Sequence, residues 1–79
     1  MDYVEEEFLQ ILSFLVIPKE LIRIDASFVE DFGFERFQFF VLVFFIYRSF
    51  KIKITIEDLK ELRTTGSVME FVRRKLADI

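Results

Sequence analysis

The sequence predicts an all-α fold: a small bundle of three main helices and one short helix, with a long loop after the first helix. Three observations predict it. Val4, Phe8, Ile11, Leu12 and Leu15 recur at helical spacing near the start of the chain. Glu35 to Phe50, ERFQFFVLVFFIYRSF, has no Gly or Pro and holds an uncharged, mostly apolar run from Phe37 to Tyr47, and its length suits a helix better than a strand. Val68, Met69, Val72 and Leu76 give the last stretch a single apolar face.

The first helix is expected from about Asp2 to Leu15. Asp2 caps it, with Glu5 three residues on as in a capping box, and Glu5, Glu6 and Glu7 sit where the helix dipole favours acids. Pro18 sets its end, because a proline drives the preceding residue out of the helical region. Residues 16–35 form the long connection. Pro18, Lys19 and Glu20 suit a short turn, and Leu21, Ile22 and Ile24 are expected to tuck back onto the first helix. Phe28 and Phe32 should anchor the rest of the loop to the core, and Gly33 supplies a backbone angle other residues resist. The second helix runs from about Glu35 to Phe50. Lys51 to Ile56 alternates like a strand, but no second strand is there to pair with it, so it reads as an extended connector. Glu57 to Leu62 makes the short helix, and Thr64 or Thr65 caps the last one. The whole, residues 1–79, is one domain.

The central helix poses a packing problem. At about 100° per residue, Phe39, Leu42, Val43, Ile46 and Phe50 fall on one side. Phe37, Phe40, Val41, Phe44 and Phe45 fall on another, with Arg48 among them. A helix apolar nearly all round is normally buried on more than one side. A chain of 79 residues has one small core, so the second face calls for a partner. The run is too short to span a bilayer, which takes about 20 residues.

Composition removes several functions. There is no Cys and no His, so no thiolate chemistry and none of the commonest general base or metal ligand. Glu30, Asp31 and Glu35 lack the spacing of a recognised metal loop. Neither catalytic nor metal-binding residues are expected. The acidic opening is the reverse of a secretory signal's basic one, and the expected compartment is the cytoplasm. Charge is uneven: residues 1–35 hold nine acids and two bases, residues 36–79 five acids and nine bases. The only tight basic cluster, Arg73-Arg74-Lys75, suits the dipole at a helix C-terminus, and nucleic-acid binding has little support.

Ala26-Ser27-Phe28-Val29-Glu30-Asp31-Phe32-Gly33 resembles the loop before the second helix of bacterial acyl carrier proteins. Leu42, Val43, Phe50, Ile54, Glu57, Thr64 and the pattern of the last helix extend the resemblance over nearly the whole chain. It implies a bundle of three main helices and one short one. It also implies a phosphopantetheine arm on the serine of an Asp-Ser-Leu triplet opening the second helix. Here those positions are Glu35-Arg36-Phe37. A guanidinium has only donors and no lone pair to attack with. 4′-Phosphopantetheine is therefore expected to be absent, and Arg36 to pair with Asp31 or Glu35. The acids that the family shows outward on this helix are also replaced, by Val41, Tyr47 and Arg48, so electrostatic steering is weakened or reversed. Phe39 occupies part of the space where the family folds its acyl chain, most simply as core packing.

Three functional expectations follow from the resemblance and its departures. The first is a non-catalytic pseudo-carrier that binds a protein of a fatty-acid, polyketide or related synthesis system, or a second copy of itself, through Phe37, Phe40, Val41, Phe44, Phe45 and Arg48. The second is a true carrier with an unusual attachment site or substrate. The third is a membrane-surface protein, against which the lack of a basic rim beside the Phe-rich face argues.

Overall fold

A computed structural model describes residues 2–78. The chain forms α1 (Tyr3–Phe14), α2 (Arg36–Phe50) and α3 (Thr65–Ala77), with 3₁₀ turns at Lys19–Leu21 and Glu57–Glu61. Among the described residues there is no strand, only an isolated bridge between Ser27 and Thr64. The all-α bundle is thus as the residues predict, with the short helix wound as 3₁₀. α1 packs against both α2 and α3, and the second 3₁₀ turn lies against α3.

Each helix start has a chemical reason. The Asp2 carboxylate accepts the Glu5 amide at 2.9 Å, while the Arg73 guanidinium of α3 lies 2.9 Å from Asp2 and 3.8 Å from Glu5. The opening acids of α1 thereby tie the first helix to the last. Thr64 caps α3 through a reciprocal box with Ser67: Thr64 Oγ1 accepts the Ser67 amide at 3.1 Å, and Ser67 Oγ accepts the Thr64 amide at 3.0 Å. Thr55 and Asp58 form the same kind of pair before the second 3₁₀ turn, at 3.0 and 3.2 Å.

α1 ends at Phe14, within a residue of the expected Leu15, but Pro18 is not what stops it. The Ile17 amide donates to the Leu12 carbonyl and the Val16 amide to the Ser13 carbonyl, with Val16 left-handed at φ +62°. These are the two bonds of a Schellman motif, and Val16 stands where glycine is usual. Helix termination precedes Pro18 and is made by backbone bonds.

The core joins Val4, Phe8, Ile11 and Leu12 of α1 with Leu42, Ile46 and Phe50 of α2 and Val68, Phe71 and Val72 of α3. Leu15, Val43, Ile54 and Met69 pack around it. Phe28 anchors the loop as expected: it is fully buried, and its ring meets Phe8, Phe32, Phe34 and Phe39 at centroid distances of 6.5, 5.4, 5.1 and 6.1 Å. Gly33 has φ +69°, the conformation the sequence asks of it. The expected tuck of Leu21 and Ile24 is not seen: both are exposed, and only Ile22 reaches the core. The reason lies in the backbone. The Ile24 carbonyl accepts the Gly66 amide at 2.8 Å, and that of Ala26 accepts the Thr65 amide at 3.1 Å. The Arg23 carbonyl accepts from the Thr65 hydroxyl. The segment is stitched by its backbone to the start of α3, which leaves Leu21 and Ile24 exposed while Ile22 packs on the core. Along the connector Ile52 is buried, Ile54 partly so and Ile56 exposed.

Candidate functional site

The start of α2 is built by the loop before it. The Ser27 amide donates to the Asp31 carboxylate at 2.7 Å, Ser27 Oγ accepts the Glu30 amide at 3.1 Å, and the Ser27 carbonyl accepts from Asp31 and Phe32. This turn delivers the chain through Gly33, and the Phe34 amide bonds the Phe28 carbonyl at 2.8 Å. Glu35 then takes the N-cap, extended at φ −113°, and Gln38 Oε1 accepts its amide at 2.9 Å.

Arg36 is the first residue of α2 and is exposed. Among the described residues it makes no ion pair, so the expected pairing with Asp31 or Glu35 is absent. Asp31 is engaged in its own turn with the Ser27 amide. A cation at a helix N-terminus is mildly unfavourable, and the acid beside it is the N-cap Glu35, which forms no ion pair with it.

Phe39 is half-buried and packs on the core, with its ring edge-on to Phe28 and Phe34. It also lines an open groove of about 500 Å³ with Val29, Leu59 and Leu62, rimmed by Asp25, Glu30, Lys60 and Arg63. A second groove of about 350 Å³ runs between α1 and α2, lined by Glu7, Gln10, Phe14, Phe45, Arg48 and Ser49.

The second face of α2 divides in two. Phe37, Phe40 and Phe44 are 71%, 59% and 55% exposed, and Arg48 is exposed beside them. Val41 is half-buried, and so is Phe45, which packs on the core and stacks on Phe14 of α1 at 5.6 Å and 9°. Phe44 meets Phe45 edge-on at 5.7 Å, so the rings run continuously from α2 onto the exposed Phe14. Sequence reasoning missed Arg36, Tyr47 and Lys51 as members of this face. All three are exposed. The helical period already places them beside Phe40, within an arc of roughly 120° at 3.6 residues per turn.

No group of three or more metal-ligating side chains is placed to hold an ion among the described residues. No helix is long and apolar enough to cross a membrane. The basic triplet of α3 is engaged in pairing: Arg73 with Asp2 and Glu5, Arg74 with Glu61, and Lys75 over the Phe71 ring at 5.6 Å.

Three helices around one core, with a long aromatic-anchored loop delivering a capped central helix, define a small carrier-like domain. Sequence comparison agrees. The chain is similar to the acyl carrier proteins of Chlamydia trachomatis serovars D and A, 26% identical over 61 residues, covering 77% of this chain and 79% of each relative. It is 27% identical over 59 residues to that of serovar L2, covering 75% of this chain and 77% of the relative. No family model matches. The chain is acyl-carrier-like in both sequence and fold.

Proposed function

We propose that this acyl-carrier-like chain bears no phosphopantetheine and acts, without chemistry of its own, by binding a protein partner in the cytoplasm. The partner belongs to a fatty-acid, polyketide or related synthesis system, in keeping with the acyl carrier relatives. The observation that carries this reading is Arg36 at the first position of α2. Attachment of the arm needs an oxygen nucleophile, and a guanidinium has no lone pair to give. The serines nearest in sequence do not replace it: Ser27 Oγ accepts the Glu30 amide within the loop, and Ser49 lies at the far end of the helix. The exposed rings of Phe37, Phe40 and Phe44 supply the binding face. Its occupant is a different protein or a second copy.

Intact mass after co-expression with a phosphopantetheinyl transferase tests the reading. The wild-type chain is expected at its polypeptide mass. Arg36→Ser, which restores the hydroxyl, is the companion sample: a mass gain on that variant alone shows that the transferase reached the helix. An arm on the unaltered chain overturns the proposal in favour of a true carrier with an unusual attachment site.

A further inference from the structure

The solvent-facing arc of α2 carries Phe37, Phe40, Phe44 and Tyr47 together with Arg36, Arg48 and Lys51. From Arg36 to Lys51 there is no acidic residue, so the arc is net positive on a chain whose net charge is −3. Glu7 of α1 faces it across the groove from Arg48, and is not within ion-pair distance of it.

We infer that the occupant of this face is a different protein, one presenting carboxylates around an apolar groove or helix stripe. This rests on the reading of the chain as a protein-binding domain. Charge complementarity selects the partner: opposite potentials steer association, and like charges penalise a wrong one. The same argument removes the two-fold homodimer expected from the patch alone. An isologous contact sets a face against its own copy, which here gathers six cations and no arc acid. Aromatic residues and Arg mixed together, with Asp and Glu missing, is the composition of protein-interface cores. A membrane surface fits less well. Arg48 projects between Phe37 and Val41 rather than at a rim, so inserting the rings would carry a guanidinium with them.

The test uses two short amphipathic helical peptides with the same leucine stripe, one flanked by Glu and the other by Lys. The Glu peptide is expected to bind roughly tenfold tighter at low salt, with the gap closing as ionic strength rises. Amide shift changes should map to the α2 arc and Phe14. Arg36→Glu/Arg48→Glu/Lys51→Glu should reverse the preference. Lys53→Glu/Lys60→Glu/Arg63→Glu, matched in charge and also exposed, should preserve it. Phe40→Ser/Phe44→Ser should weaken both peptides. Far-UV circular dichroism confirms that each variant is folded.

Equal binding of the two peptides overturns the inference, as does loss of preference in the control triple. So does a dimer of the unaltered chain in sedimentation that Phe44→Glu splits. Binding to phosphatidylglycerol vesicles with no peptide preference does the same in favour of a lipid surface. An arm found by intact mass overturns the underlying reading instead, whichever way the peptides behave.

Discussion

Val16 holds a β-branched side chain at φ +62°, 85% exposed to solvent. The left-handed region costs an L-residue about 1–2 kcal/mol, and so exposed a side chain returns little packing. Glycine removes that cost and gives back roughly 0.5–1 kcal/mol in chain entropy. Val16→Gly is therefore expected to stabilise the protein by up to about 1 kcal/mol, read as a higher urea midpoint with unchanged slope; a lower midpoint refutes the Schellman assignment. Gly66 behaves oppositely. Alanine gains about 1 kcal/mol of helix propensity there, but its Cβ would stand 2.7 Å from the Ile24 carbonyl oxygen and 2.8 Å from Ile24 Cγ1. That carbonyl is held in place by the Gly66 amide itself. The clash outweighs the propensity, so Gly66→Ala should lower the midpoint, and a neutral result would mean the Ile24 segment shifts freely.

Among elements, the caps join what the helices alone would leave apart. The Asp2 carboxyl is held below its ordinary 3.8 by the Glu5 amide first and by Arg73 second. A carboxyl depressed in the folded state stabilises fully above its ordinary value, and that contribution fades as pH falls through the folded one. Below about pH 4 the wild type should lose stability more steeply than Asp2→Asn, whose side chain still accepts the Glu5 amide; parallel acid-unfolding curves would show that the α1–α3 tie contributes nothing. Asp58, depressed mainly by the Thr55 amide, titrates with the same sign. Helix positions were legible because they rest on local periodicity: the bounds of α1 and α2 fall within a residue of those read from Asp2–Leu15 and Glu35–Phe50. The bonds of Arg23, Ile24 and Ala26 to the start of α3 were not legible. They join positions some forty residues apart, and no local pattern at Ile24 or Gly66 announces them. At the site, Arg36 was readable as a cation opening α2, but its lack of an ion pair depends on where the loop spends Asp31. Phe45 was counted on the outer face because residue spacing alone cannot foresee Phe14 stacking on it.

For the whole molecule, Phe28 is where loop, α1 and α2 meet. Its ring touches Phe8 of α1, Phe32 and Phe34 of the loop and Phe39 of α2, and its amide donates to the Arg63 carbonyl just before α3. A chain of 79 residues has a total stability of roughly 4–12 kcal/mol. Truncating a buried Phe to Ala costs about 3–5 kcal/mol, and deleting most of Ile46, equally buried, costs about 2–5. Phe28→Ala should therefore consume much of the margin and release the loop that positions the start of α2. Thermal unfolding should show it as a midpoint far below the wild type's and at or below that of Ile46→Ala, and hydrogen exchange should show the Phe34 amide losing protection. Phe28→Leu fills more of the space and should cost distinctly less. If Phe28→Ala instead unfolds near the wild-type midpoint, the aromatic cluster is peripheral. The loop would then be held by its bridge to Thr64 and not by its ring.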